Sequence, residues 1–328
     1  MSRDMMPSFE LFQPDSLEGA IKLAKDVEKS WLVAGGQDSY DWFKDRAKRP
    51  EALIDISAIQ ALKGIRETDA GLEVGALTTL TEIGESDVVK SKYTVLARAA
   101  ARVASPQIRN AGTLGGNLCQ DARCWYYRSG VDCYRAGGNT CYADTPQGQN
   151  REHCLFGAAR CIAVSPSDVA PAVVALEGVI VIASDAGSRD VPAEEFFIGP
   201  SVDITRMNIL KPGEIVTAVR FPKKWAGAKF YFEKVTDRAT WDFALVNVAS
   251  AMLIEGGIIK DARIVCGAVE CVPRRLKSVE QAVIGQPQNE DTALIAGRTA
   301  SQGATPVQYN GYKVPLMENL VRRAVRDS

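Results

Sequence analysis

Apolar residues recur at helical spacing in Leu17, Ala20, Ile21, Ala24 and Val27, directly behind Ser16, a residue suited to capping a first turn. Trp31 to Val33 then reads as a strand running into Gly35-Gly36. Beyond the polar segment Asp41 to Arg49 come a short apolar strand, Ala52 to Ile56, a β-rich stretch around Leu72 to Leu77, and a helix from about Tyr93 to Val103. The alternation is α+β without clear βαβ regularity.

A glycine-rich turn from Ile108 to Asn117 follows, and from there to Cys161 apolar periodicity nearly vanishes. Residues 119–165 therefore read as an insertion in an otherwise ordered domain. The pattern resumes with a helix over Val169 to Leu176 and strands over Val179 to Ile182 and Glu214 to Phe221. Pro222 to Gly227 has linker character and divides the chain into an N-terminal domain, 1–222, and a C-terminal domain, 223–328. In the second, Phe230 to Val235, Ala244 to Ile254, a turn at Glu255-Gly256-Gly257 and Ile258 to Ala268 predict a small antiparallel sheet, with helices after it.

A length of 328 residues exceeds the usual reach of one core, which agrees with two domains. Charge is balanced, 39 Lys plus Arg against 40 Asp plus Glu, so the chain offers no field for a phosphate backbone, and nucleic acid is not an expected partner. Met1 to Pro7 has no apolar core of a signal peptide, and the most apolar later stretch, Val169 to Ser184, is interrupted by Pro171, Glu177 and Gly178. The expectation is a soluble, cytoplasmic chain without membrane insertion.

Two glycine segments carry candidate chemistry. In Val33 to Tyr40, "VAGGQDSY", paired glycines let backbone N–H groups turn toward an anion such as a pyrophosphate with no Cβ in the way. In the second, Gly112, Thr113, Gly115, Gly116 and Asn117 add a hydroxyl and an amide to close-approach glycines. Neither segment is G-x-G-x-x-G or G-x-x-x-x-G-K-[ST], which leaves Rossmann and P-loop readings without support.

Six of eight cysteines, Cys119, Cys124, Cys133, Cys141, Cys154 and Cys161, crowd the insertion, while Cys266 and Cys271 sit in an apolar strand pattern and read as core. Successive spacings of 5, 9, 8, 13 and 7 contain no C-x-x-C pair, and the chain's one histidine, His153, completes no zinc-finger pattern. A Cys₄ site on a long loop remains possible, with a metal supplying the order that the loop's own packing lacks. Spacing alone does not separate an iron–sulfur cluster from zinc; disulfides lose ground without a secretion signal. His153 has no nucleophile or acid arranged around it in sequence and reads as a surface or hydrogen-bonding residue.

"VAGGQDSY", "IRNAGTLGGN" and "SPSDVAPAVVAL" occur in the order and approximate spacing of the FAD subunits of the xanthine dehydrogenase, aldehyde oxidoreductase and hydroxybenzoyl-CoA reductase group, which nearly the whole chain resembles. The resemblance implies a two-part FAD-binding domain of the molybdenum-hydroxylase flavoprotein (PCMH-like) type with a cysteine-rich insertion, plus a smaller C-terminal α+β domain. It implies FAD contacts at Val33, Ala34, Gly35, Gly36, Gln37, Asp38, Ser39 and Tyr40, where Gln37 replaces the threonine of many relatives. Further contacts carry over to Thr113, Gly116, Asn117 and Asp168, with Lys234 near the flavin. Asp168 is equally suited to capping the helix that starts at Val169.

Hydroxybenzoyl-CoA reductase flavin subunits and certain bacterial aldehyde oxidoreductases insert a segment here that holds a [4Fe–4S] cluster. Likeness to them selects Cys124, Cys133, Cys141 and Cys161 as ligands and leaves Cys119 and Cys154 as spare thiols. Aromatics Trp125, Tyr126, Tyr127, Tyr134 and Tyr142 interleave with these positions, as cluster shielding, ordinary packing or a partner-facing surface would require. The implied assembly adds a large molybdopterin subunit, a small [2Fe–2S] subunit and an external electron donor or acceptor. A self-contained FAD oxidoreductase with a structural Cys₄ site, and a zinc-stabilised scaffold without flavin, are the competing readings.

Overall fold

Ser16 caps its helix. In a computed structural model, which describes residues 6–328, its hydroxyl accepts from Gly19 N at 3.2 Å and opens the helix Leu17–Asp26. Residues 1–5, which begin the stretch read as lacking a signal peptide, lie outside the described part. Ala20 and Ile21 bury that helix on a three-stranded parallel sheet whose central strand, Ala52–Asp55, lies between Glu10–Phe12 and Ser30–Val33. Parallel neighbours need crossovers, and two helices, Leu17–Asp26 and Ser39–Lys44, supply them, so this first unit has the β-α-β regularity that the sequence pattern hid. The second helix falls in the segment read as polar. At six residues it is too short to show a period, yet its Trp42 and Phe43 are fully buried.

A five-stranded antiparallel sheet forms the second layer, in the order Ile65–Thr68, Gly71–Gly75, Ile215–Pro222, Val179–Ser184, Gly187–Pro192. Helices Thr94–Ala101 and Ala170–Ala175 cover it, burying Leu96 and Val173 with Leu72, Val74 and Val219. Ala249, Ala251 and Val265 of the C-terminal half belong to the same core, which fixes the two halves against each other.

The C-terminal half is a four-stranded antiparallel sheet, ordered Arg274–Arg275, Ile258–Gly267, Val246–Glu255, Lys229–Val235. Gly256 and Gly257 have φ of +58° and +78°, the left-handed pair that a two-residue hairpin turn demands. Helices Lys277–Val283 and Lys313–Arg326 pack on this sheet, Glu290–Ala300 packs against both of them, and Leu155 and Phe156 reach into their core from the cysteine segment. Among the described residues, no helix is long and apolar enough to cross a membrane.

Candidate cofactor sites

The first glycine segment is the turn between strand Ser30–Val33 and helix Ser39–Lys44, with Gly36 at φ +70°. The second is not a loop. It is two short helices, Pro106–Ala111 and Leu114–Leu118, joined at Gly112, with Thr113 Oγ1 accepting from Gly116 N at 3.1 Å as the cap of the second. The two segments touch: a Cβ on Gly35 would lie 1.9 Å from the carbonyl oxygen of Ala111 and 3.1 Å from Gly112 N. Only a glycine allows this approach.

Along this junction runs a cleft of about 1240 Å³, large enough for a dinucleotide. Its walls include Ala34, Gly35, Gly36, Gln37, Asp38 and Ser39 from the first segment and Thr113, Gly116 and Asn117 from the second, with Asp168 at the wall as well. Asn117 is fixed on both sides, accepting from Ser167 Oγ at 2.6 Å and donating to Gln120 Oε1 at 3.1 Å.

Asp168 does not cap the helix behind it. Ser167 Oγ accepts from Ala170 N at 3.0 Å instead, and the Asp168 carboxylate accepts from Lys234 Nζ at 2.6 Å and Asn247 Nδ2 at 3.0 Å. Burial pushes the Asp168 carboxyl up, against the pull of Lys234. Lys234 also donates to the carbonyls of Arg102 and Asp242, at 3.1 and 2.7 Å, so a lysine of the C-terminal sheet ties the floor of the cleft to the N-terminal half.

Beside the cleft lies a second, small cavity. Cys124, Cys133, Cys141 and Cys161 all line it, together with Tyr126, Tyr127, Tyr134, Tyr142, Arg135 and His153. From Cys119 to Ser165 the chain forms only the helical turns Trp125–Arg128 and Tyr134–Ala136, so side chains hold it in place. Asp121 accepts from both Arg135 Nε and Nη2, at 3.1 and 2.8 Å, and from Tyr127 OH at 3.0 Å. Burial alone would raise the Asp121 carboxyl, but Arg135 and Lys48 outweigh it and hold the group below the ordinary aspartate value. Arg123 and Arg128 both pair with Asp38 of the first glycine segment, and Arg128 lies 3.5 Å over the Trp42 ring.

Burial pushes the thiol of Cys124 up to about 11, while the backbone N–H groups of Tyr127 and Tyr126 pull it down. Burial likewise raises Cys141, against N–H groups of Asp144, Ile162 and Ala143. Such donors suit sulfur that carries negative charge, as a metal-bound thiolate does. No three His, Cys, Asp or Glu side chains among the described residues are grouped as a metal ion would need.

Residues 7–224 match the family model described as the FAD binding domain in molybdopterin dehydrogenase, and residues 231–328 match the CO dehydrogenase flavoprotein C-terminal domain. The chain belongs to the molybdopterin-dehydrogenase FAD-binding family. It is 32% identical to the aldehyde oxidoreductase FAD-binding subunit PaoB of Escherichia coli, covering 93% of each chain. It is 29% identical to the glyceraldehyde dehydrogenase medium chain of Sulfolobus acidocaldarius, covering 98% of each. A chain in the solved structure of carbon monoxide dehydrogenase from Hydrogenophaga pseudoflava, a form lacking the Mo-pyranopterin moiety, superposes with a TM-score of 0.78 at 27% identity, over 98% of this chain and 97% of that one.

In this FAD-binding chain, Val33, Tyr40 and Lys234 are not among the residues that line the cleft, and Tyr40 is exposed. Val33 is core, Tyr40 packs beside Gly36 and Phe43, and Lys234 acts through Asp168. Of the two thiols that the resemblance leaves out of the ligand set, Cys119 lines the large cleft, and Cys154 is buried with Ala143 and Ile162. Trp125 does not shield the cavity but points outward, 72% exposed. His153, read as a surface or hydrogen-bonding residue, is 5% exposed and in contact with Cys124. Sequence reading missed Trp241 and Phe243, an exposed aromatic pair at the cleft, and Arg123 and Arg128, which join cleft to cavity. The aromatic spacing in "TWDF" was the available signal for the first pair.

Proposed function

We propose that this chain is the electron-transfer subunit of a heteromeric molybdenum-containing oxidoreductase, carrying both FAD and a [4Fe–4S] cluster. Substrate is turned over on a separate molybdopterin subunit, a small [2Fe–2S] subunit completes the relay, and an external donor or acceptor exchanges electrons with it. The relatives are named as FAD-binding subunits or medium chains, which supports the division of labour.

The observation that carries the cluster assignment is that Cys124, Cys133, Cys141 and Cys161 line one cavity although they are dispersed over a segment with almost no secondary structure. Four thiolates around a space, rather than converged on one point, suit a polynuclear core better than a single zinc ion. When bound, FAD exchanges electrons in pairs or singly and the cluster exchanges them singly, which makes the pair a converter between the two modes.

The residues of the chain position these groups. Ala34 to Ser39 and Thr113 to Asn117 form the two walls for the FAD, with Asp168 held in place by Lys234 and Asn247. Tyr126, Tyr127, Tyr134 and Tyr142 line the cysteine cavity and set aromatic rings around the proposed cluster. The pairing of Arg123 and Arg128 with Asp38 holds the two sites side by side.

The test is metal and flavin content of the complex, purified without oxygen with its co-expressed partners. One FAD per chain is expected, with about four irons and four sulfides beyond those of the small subunit. Serine at any of Cys124, Cys133, Cys141 or Cys161 is expected to remove or convert that cluster. Zinc without sulfide would make the cavity a structural site, and absence of flavin would overturn the reading of the cleft.

A further inference from the structure

His153 is the only histidine in the chain and sits at 5% exposure on the wall of the cysteine cavity, with Nε2 3.3 Å from the Sγ of Cys124. Its other ring nitrogen, Nδ1, is buried and makes no hydrogen bond of good geometry among the described residues, although the Asn150 carbonyl lies near enough to act on the ring. A neutral imidazole carries one N–H, and the sulfur of a cluster-bound cysteine has no proton to give and can only accept. The proton therefore belongs on Nε2, facing the sulfur, with the lone pair on Nδ1.

The backbone that carries the ring is held on both sides. The carbonyl of His153 accepts from Asn310 Nδ2 and from Lys313 Nζ, each at 3.0 Å, and its N–H donates to the Asn150 carbonyl at 3.2 Å. Asn310 and Lys313 are themselves fully buried, and Lys313 also donates to the carbonyls of Glu152 and Ala268, at 2.9 and 2.7 Å. The C-terminal helix Lys313–Arg326 thus fixes the backbone that presents the imidazole.

We propose that His153 donates a hydrogen bond to the Cys124 sulfur and thereby raises the reduction potential of the cluster that the four cysteines hold. The inference rests on the cluster reading given above. A donor to a coordinating thiolate stabilises the more electron-rich, reduced state more than the oxidised one, so its removal makes reduction harder. His153 is a positioning and tuning residue, not a ligand.

The experiment is a redox titration of the assembled complex, following the electron paramagnetic resonance signal of this cluster, with iron and sulfide determined on the same samples. His153→Leu is expected to keep the iron and sulfide of the wild type and shift the midpoint to a more negative value. A tenfold loss in the reduction equilibrium corresponds to about 59 mV for one electron. His153→Gln, which retains an N–H donor, is expected to recover part of the shift. An intact cluster with unchanged potential in His153→Leu overturns the proposal. So does a strongly coupled nitrogen in the pulsed spectrum of the wild-type complex, which would make His153 a ligand; that measurement stands even if His153→Leu fails to assemble. A wild-type complex without the extra iron and sulfide removes the cluster reading itself, a separate failure visible before any variant is made.

Discussion

The flavin cleft and the cysteine cavity are neighbours built by opposite means. The cleft is made of backbone: Gly35 lies against the Ala111 carbonyl, Leu114 N and Gly115 N donate to Thr78 and Ala76 at 2.9 and 2.8 Å, and the helices involved are capped. The cavity is made of side chains on a segment with two helical turns, held by the Asp121–Arg135 pair, the Arg128–Trp42 stack and the Lys313 clamp. A site made of backbone is set by where chain segments approach, whereas a site made of side chains depends on a few charged groups being satisfied together. The two share residues: Asp38 of the first glycine segment receives Arg123 and Arg128 of the cysteine segment, and Trp42 and Asp121, which hold Arg128 and Arg135 at the cavity, also line the cleft.

The difference makes the two sites separable by mutation. Arg135 has a side chain 1% exposed and pairs with Asp121, so Arg135→Met leaves a largely buried carboxylate with Lys48 as its remaining ion-pair partner and only the neutral donors Tyr127 OH and Ala122 N beside it. Breaking a buried pair from one side costs about 3 to 5 kcal/mol. We expect the variant to lose most of its iron and to show rapid amide exchange through 121–136, while flavin content falls less. Equal loss of flavin and iron would mean that the two sites fold as one unit and would break the comparison.

Gly35→Ala is the reverse case and the next in size. The added methyl meets a backbone carbonyl, not a side chain that can swing away, and overpacking of this kind costs about 1 to 3 kcal/mol. The expected outcome is purified complex with little flavin absorbance and near-normal iron and sulfide. A variant that retains full flavin would show that the two glycine segments can move apart without losing the cofactor.

The same contrast explains what could be read from the sequence. Most strands of both halves and the helices Leu17–Asp26 and Thr94–Ala101 announced themselves through period, and the hairpin at Gly256-Gly257 through its turn residues, but the short or polar strands Glu10–Phe12, Ile65–Thr68, Gly187–Pro192 and Arg274–Arg275 did not. The helix Ser39–Lys44 and the pair of short helices around Gly112 did not, because five or six residues complete less than two turns and their glycines imitate a loop. Pattern could identify Gly35 and Gly36 as unusual but could not say that Gly35 must admit the Ala111 carbonyl, since that contact joins residues far apart in the chain. The grouping of Cys124, Cys133, Cys141 and Cys161 came from resemblance, not from spacing. Asp168 was legible as a polar residue before a helix, but its partners Lys234 and Asn247 come from the other domain's sheet, beyond the reach of any local rule.

The smallest expected effect separates the proposed ligands from the other thiols of the same segment. Cys119 lines the flavin cleft, and burial pushes its thiol up to about 12, which leaves it neutral and unreactive. Cys154 is 2% exposed, its backbone N–H donates to the Ile162 carbonyl at 2.9 Å, and its side chain packs with Ala143 and Ile162 and is not part of the cavity wall. Serine at either position places a hydroxyl where an apolar thiol packs, at a cost of about 1 kcal/mol if it finds no partner. Melting temperature should fall slightly in Cys119→Ser and Cys154→Ser, with iron and sulfide unchanged. Loss of iron in Cys154→Ser would move that residue into the ligand set in place of one of the four. Because Cys154 and Cys161 lie on the same return segment, a rearrangement of that strip on metal binding is what such a result would reveal.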